Sequence, residues 1–240
     1  MSLSIVLTCY NETPIIFESY EKIVDMMNIT KIDHELIIVN DGSAPEATGK
    51  MKEYFREKPH TIFISSETNE GRGAAVTRGM KAASKDYVGF IDTDLEIPEY
   101  SLLTLYHAIV SQKADVVLGR RSYVMRWGLN AFLRYVCSRM YFWCESLFLH
   151  LGFLDTATGI KIFDRRKVLP VLDLVRDKRW FWDTEIVAEC LYNNMKIVQA
   201  PVFVIRKEKP SSVRLVRDTR RYLSSLYEYR KRHLKASDER

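Results

Sequence analysis

Asp92 and Asp94 stand one residue apart at the carboxyl end of a short apolar run, Tyr87 to Ile91, and Glu96 follows two positions later. Oxygen ligands of this kind suit a hard divalent cation such as Mg²⁺ or Mn²⁺, and a cation held there can grip a diphosphate. The apolar run reads as a buried strand, and open α/β sheets bind ligands beyond the carboxyl ends of their strands. An isolated Asp-x-Asp pair is more often a plain solvated loop. The surrounding loops decide between the two.

Three further strand-like runs end in polar loops. Thr8-Cys9-Tyr10-Asn11-Glu12 follows the first and Asn40-Asp41-Gly42-Ser43 the second. In the second loop Asp41 can take ribose or base hydrogen bonds, while Gly42 lets the backbone turn. Asn69-Glu70-Gly71-Arg72-Gly73-Ala74-Ala75 follows the third. Gly71 and Gly73 open a helix there and can offer backbone amides to an anion. Val76 occupies the place of a third glycine, and the loop does not follow the first strand, so a dinucleotide fold is poorly supported. The chain has no GxxxxGK[ST], which excludes a P-loop nucleotidase.

The elements that must position these loops alternate. Strands are expected over Ser4–Cys9, Glu35–Asn40, Thr61–Ile64, Tyr87–Ile91 and Asp115–Leu118. Helices are expected over Ile15–Met27, Ala44–Glu57, Gly71–Ser84 and from Pro98 to Val110. This βαβαβ order predicts an α/β protein with a mostly parallel sheet and helices on both faces, all four loops lying at one edge. From Leu129 to Phe153 the chain becomes long, aromatic and helix-compatible. At ~100° per residue, Arg134, Ser138 and Glu145 share one face of that helix. It suits a membrane interface, a buried helix or a dimer contact.

Composition narrows the class. With 47% hydrophobic and 28% charged residues among 240, the chain reads as an ordinary globular protein. Cys9, Cys137, Cys144 and Cys190 show no CxxC spacing, so reduced thiols and a cytoplasmic location are expected, with no zinc site. No signal peptide or C-terminal spanning anchor is expected. The net charge of +5 is concentrated in the last thirty-odd residues, which suits phosphate-rich partners or an anionic membrane surface. Tyr222, Tyr227 and Tyr229 accompany that charge, but no nucleic-acid motif does, and no nucleic acid is expected as a partner.

Taken in order, the loops resemble the inverting family-2 glycosyltransferases of the GT-A fold. Tyr10-Asn11-Glu12 resembles their first-strand motif, and Asn40-Asp41-Gly42-Ser43 their DDGS with asparagine for the first acid. Asn69 to Ala75 resembles their NxGxGAA segment, and Asp92-Thr93-Asp94 their DxD. Within the family the second half is most similar to polyprenyl-phosphate sugar synthases, the dolichyl-phosphate mannose and glucose synthases among them. Gly119-Arg120-Arg121-Ser122-Tyr123 sits where those enzymes carry a GSRY-like turn, and Arg134 and Ser138 have their Arg-xxx-Ser spacing. Asp155 to Phe163 is similar to their DTxxGFKxF, and Arg179 to Glu185 to the RWxFDxE of the glucose synthases. Arg206 with Ser211-Ser212 resembles a late Arg…SK segment, with Val213 where the lysine would stand.

The resemblance implies a metal on Asp92 and Asp94 with Glu96 nearby, and Mg²⁺ or Mn²⁺ as cofactor. It implies a GDP- or UDP-sugar held by the loops carrying Thr8, Tyr10, Asn11, Glu12, Asp41, Gly71, Arg72, Asp92, Thr93 and Asp94, with Arg206 closing over the diphosphate. Arg121, Arg134 and Ser138 would bind the phosphate of a polyprenyl acceptor, dolichyl or undecaprenyl. Asp94, Arg121, Asp183 and Glu185 are the expected catalytic residues. A hydroxyl acceptor would need a carboxylate base, for which Asp155, Asp183 and Glu185 are candidates, whereas a lipid phosphate would need none. One catalytic domain is expected over 1–205, its donor half 1–120 and its acceptor half 121–205, followed by a basic loop and helix over 206–240. The expected setting is peripheral, at the cytoplasmic membrane face, through segment 129–153 and the tail, through a membrane-protein partner, or as a homodimer. The alternatives are a transferase acting on a soluble glycan hydroxyl and a non-catalytic nucleotide-sugar-binding scaffold.

Overall fold

The computed structural model describes residues 1–123, 149, 151–152, 154–205 and 215–238, with side chains undescribed at 123, 215–220 and 234–238. The first half follows the expected alternation. It runs β1 (Leu3–Cys9), α1 (Thr13–Thr30), β2 (His34–Asn40), α2 (Pro45–Phe55), β3 (Thr61–Ser65), α3 (Arg72–Ala82), β4 (Tyr87–Ile91) and α4 (Ser101–Gln112). Then come β5 (Val116–Tyr123), β6 (Ile160–Asp164), α5 (Arg165–Leu172), α6 (Trp182–Tyr192), β7 (Ile197–Val204) and α7 (Leu215–Asp238).

The seven strands form one sheet in the order β3-β2-β1-β4-β6-β5-β7. Only β6 runs against its neighbours, between β4 and β5. Strands β1 to β4 are mutually parallel, and β5 pairs in parallel with β7. The carboxyl ends of six strands and the amino end of β6 therefore meet along one edge. Two hydrogen bonds tie that edge together, Asp92 N to Gly159 O at 2.9 Å and Ile205 N to Glu96 O at 2.7 Å.

Both sheet faces are covered, so inward side chains alternate between two cores. Leu3, Ile5 and Leu7 of β1 and Leu36 and Ile38 of β2 pack toward Ile16, Tyr20 and Ile23 of α1 and Leu102 and Leu105 of α4. Val6, Ile37 and Val39 face the other way, toward Ala75, Val76 and Met80 of α3 and Trp182 and Ile186 of α6. A third cluster joins Phe181 and Ala188 to Leu226 and Tyr229 of α7.

Two expectations are corrected. Helix α4 starts at Ser101; Pro98 to Tyr100 form a turn, closed by Ser101 N donating to Pro98 O at 2.9 Å. Gly119 to Tyr123 is not a turn but the end of β5, paired residue for residue with Ala200 to Val204. Sequence periodicity does not assign β6, β7, α5 or α6, whose apolar runs are short. Segment 129–153 lies, but for a few residues, outside the described part. Among the described residues no helix is long and apolar enough to cross a membrane.

Candidate active site

The Asp92–Glu96 loop is a tight turn with a buried anchor. Leu95 N donates to Asp92 O at 3.1 Å and Glu96 N to Asp94 Oδ1 at 3.1 Å. Leu95 takes a left-handed backbone, φ 48°, which a branched residue adopts only under tertiary constraint. The constraint here is burial of Leu95 and Ile97 in the α1/α4 core. The Thr93 hydroxyl donates to Thr8 O at 2.6 Å, and Ser19 Oγ donates to Thr93 O at 2.5 Å. Thr93 is buried, so it pins the loop to β1 and α1. Asp92 and Asp94 stay partly exposed on either side of it.

Asp92 lies against Gly159. A Cβ at residue 159 would come within 1.9 Å of Asp92 Oδ2, so the carboxylate occupies space that only glycine leaves open. The donor chemistry fits a hard divalent cation: two carboxylates one residue apart, both reachable from solvent. Among the described residues no cluster of three or more His, Cys, Asp or Glu could by itself enclose a metal. An ion such as Mg²⁺ takes one or two carboxylates and completes its shell with phosphate and water.

The nucleotide side of the edge is built by crosslinks between loops. Asn11 N donates to Ser43 Oγ at 2.8 Å, and Asn11 Oδ1 accepts from Ala44 N at 2.9 Å, at the start of α2. Tyr10 is half exposed beside it and Glu12 is exposed. Asp41 is buried and accepts from Glu70 N at 3.0 Å and from Gly71 N at 2.9 Å. Its carboxylate thus clamps the glycine loop to the end of β2, a role that its position in the sequence does not reveal. Asn40 is wholly buried; its amide donates to Thr48 Oγ1 and Ser65 Oγ at 2.9 and 3.0 Å and accepts from Ser43 N at 3.2 Å. An acid at 40 would have no proton to donate.

Part of the expected anion cradle at Gly71 and Gly73 is taken up within the protein. Glu70 N and Gly71 N are taken by Asp41, and Ala74 N donates to Lys178 O at 3.1 Å. Gly71 has φ 115°, and a Cβ there would meet Lys178 O at 2.4 Å; at Gly73 it would meet Trp182 Cβ at 2.5 Å. Both glycines let the 178–182 segment close onto α3. The helix opening also sends the Arg72 side chain toward the Asp92 loop.

Arg72 Nε and Nη2 donate to Asp92 Oδ1 at 3.0 and 2.6 Å, and Nη1 donates to Asp183 Oδ2 at 2.5 Å. Lys161 Nζ, wholly buried in β6, donates to Asp183 Oδ1 at 2.6 Å and to Thr158 O at 2.7 Å. Burial pushes the Lys161 ammonium below its ordinary value, opposed by Asp183. Burial also opposes the Arg72 charge, but Asp183 and Asp92 outweigh it and hold the guanidinium above its ordinary value. Lys161 received no role from the sequence; a lysine between Ile160 and Ile162 in an apolar strand was the available signal. Trp180 is 54% exposed, its ring 5.8 Å from the Arg72 guanidinium, while Phe181 and Trp182 are buried as packing.

At the end of β5, Arg121 forms a fork with Asp155. Nε donates to Oδ2 at 3.0 Å and Nη2 to Oδ1 at 2.7 Å, and Arg121 N also donates to Oδ2 at 3.0 Å. Glu185 is placed differently from the expected catalytic position. It is wholly buried, accepts from Arg176 N and Asp177 N at 3.2 and 2.7 Å, and takes Arg232 Nη2 of α7 at 2.6 Å. One oxygen thus fastens the 176–177 loop to α6 and the other holds α7. Arg134, Ser138 and Arg206 lie outside the described residues, although Ile205 brings the chain to the Glu96 loop immediately before Arg206.

Residues 4–142 match the model of glycosyl transferase family 2. The chain belongs to this family. It is 29% identical over 204 residues to Glycosyltransferase AglD of Haloferax volcanii, covering 84% of this chain and 33% of that protein. It is 26% identical over 216 residues to a dolichyl-phosphate beta-glucosyltransferase of Dictyostelium discoideum, covering 83% and 65%. The chain therefore spans one third to just under two thirds of these relatives' lengths. Among solved structures, glucosyl-3-phosphoglycerate synthase of Mycobacterium tuberculosis, in complex with Mg²⁺ and UDP, superposes with a TM-score of 0.69 at 17% identity, covering 95% of this chain and 79% of that one. That likeness, with the seven-stranded mixed sheet, establishes the GT-A fold.

Proposed function

We propose that this family-2 chain transfers a sugar from a GDP- or UDP-sugar to a polyprenyl phosphate, with inversion at the anomeric carbon. The observation that carries the proposal is the state of the carboxylates that could act as bases. Asp155 is held by Arg121, Asp183 by Arg72 and Lys161, and Glu185 by Arg232. Taking a proton from a hydroxyl acceptor would break one of these ion pairs. A phosphate acceptor is already ionised and needs no proton removed. The dolichyl-phosphate beta-glucosyltransferase among the relatives supports the same acceptor, and makes a glucosyl donor the first to try.

The residues divide the work accordingly. Exposed Tyr10 offers a ring to the base, and Asp41 keeps the glycine loop in register beneath the ribose. A divalent cation bound at Asp92 and Asp94 would offset the charge that grows on the departing nucleoside diphosphate. Arg121, paired with Asp155 at the end of β5, adds positive charge beside an incoming acceptor phosphate without giving up that pair. Arg134, Ser138 and Arg206 keep the roles that resemblance implies, as acceptor-phosphate ligands and closing arginine. Attachment would be peripheral, on the cytoplasmic face of the membrane.

The test compares acceptors. Polyprenyl phosphate, the matching polyprenol and soluble glycans are each offered in detergent with Mg²⁺ or Mn²⁺ and a panel of labelled nucleotide sugars. Transfer to the phosphate alone is expected; transfer to a hydroxyl acceptor would replace the proposal with a soluble-glycan transferase.

A further inference from the structure

Lys161, Asp183, Arg72 and Asp92 form an unbroken chain of alternating charge. Lys161 meets Asp183 at 2.6 Å, Arg72 meets Asp183 at 2.5 Å, and Arg72 meets Asp92 at 2.6 Å. Two cations and two carboxylates balance, so Asp92 is already neutralised by the protein itself. The arginine approaches it asymmetrically. Nε and Nη2 both converge on Oδ1, while Oδ2 lies over the bare Cα of Gly159.

We propose that Arg72 is a placeholder for the divalent cation, occupying Asp92 until the cation binds and then retreating along the charge chain onto Asp183. The proposal rests on the reading of Asp92 and Asp94 as metal ligands and deepens it. The physical reason is competition between like charges. A guanidinium and a divalent cation sharing one carboxylate lie a few ångströms apart in a partly buried site, where their repulsion is screened far less than in water. Asp183 gives the arginine somewhere to go. It already accepts from Nη1, and its other oxygen is fixed by Lys161, which is wholly buried and cannot follow. Lys161 is in this scheme a positioning residue, holding Asp183 as a stationary anchor. Trp180 and Phe90 flank the guanidinium at 5.8 and 5.2 Å, and both rings keep it near the edge as it shifts.

The consequence is a site whose affinity for a bare cation is held down by its own arginine. An arriving diphosphate brings negative charge for Arg72 and the cation alike, so donor and metal would enter together. The variants Arg72→Gln and Asp183→Asn separate this from a merely structural role, because their effects on cation affinity have opposite signs.

The experiment is a Mn²⁺ titration of the whole chain without nucleotide, the free ion followed by electron paramagnetic resonance, with thermal melts on each variant. Arg72→Gln removes the competitor, and Mn²⁺ should bind it about tenfold or more tightly than wild type. Asp183→Asn removes the retreat, and Mn²⁺ should bind it several-fold less tightly. General loosening of the loop would weaken both. Asp94→Ala tests the metal reading by itself. If it abolishes Mn²⁺ binding while Arg72→Gln binds no better than wild type, the metal reading stands and the placeholder is overturned. If Mn²⁺ binds none of the four proteins, or binds Asp94→Ala as well as wild type, the ligand assignment fails and the placeholder fails with it.

Discussion

Asn40 is a neutral amide in an acidic corner, next to Asp41 and wholly buried. It uses both ends of its amide, donating to Thr48 and Ser65 and accepting from Ser43. Asn40→Asp would force both hydroxyl partners to turn round and donate, and would bury a second carboxylate beside Asp41. It should cost about 2 kcal/mol or more, read from urea unfolding. Gly71→Ala should also destabilise, by upward of about 1 kcal/mol, since it adds a Cβ against Lys178 O at a backbone angle only glycine adopts freely. The place of the Asp92–Asp94 loop was legible in the sequence because it directly follows the apolar run of β4. Asp41's clamp on the glycine loop and Lys161's anchoring of Asp183 were not, since each joins residues more than twenty positions apart. Cys9 was read as a reduced thiol; burial pushes it up to about 12, with Glu12 and Asp41 adding to the shift, which leaves it inert.

Helix α7 is held to α6 by an ionic and an apolar seam. Glu185 pairs with Arg232 and Glu189 with His233, while Leu226 and Tyr229 pack on Phe181 and Ala188. Glu185→Gln should therefore lower stability, by about 2 kcal/mol or more, while leaving turnover per folded molecule nearly unchanged. A large loss of turnover at full folding would return Glu185 to the catalytic set. At the opposite edge of the sheet, Asp115 accepts from Lys167 Nζ at 2.6 Å and Lys196 N at 2.8 Å. Burial would raise its carboxyl, but these two donors outweigh burial and hold it below its ordinary value. A depressed folded value means the stabilisation is full above the ordinary carboxylate range and fades as pH falls below about 4. Asp115→Asn should cost about 1 kcal/mol near neutrality and progressively less in acid, measured by thermal melts across pH. Four parallel strands with helices between them were legible from period alone. The β5 extension through Arg121 was not, because its arginines and glycine read as a turn, and pairing with β7 supplied the missing strand partner.

Across the whole molecule, the sheet gathers the ends of distant segments at one edge: the Asp92 loop, the Gly159 turn, the Arg121 end of β5 and the approach to Arg206. The family and the fold were readable from four ordered motifs. The acceptor was not, since its expected ligands Arg134 and Ser138 fall in segment 129–153, whose period suits a membrane surface and a buried helix alike. The most direct measurement is transfer of labelled sugar from a nucleotide sugar into the organic phase, with polyprenyl phosphate, Mn²⁺ and Asp94→Ala as control. Label in the lipid, lost in Asp94→Ala, is the predicted result. Donor consumed with no label in the lipid, for any nucleotide sugar, would contradict the account.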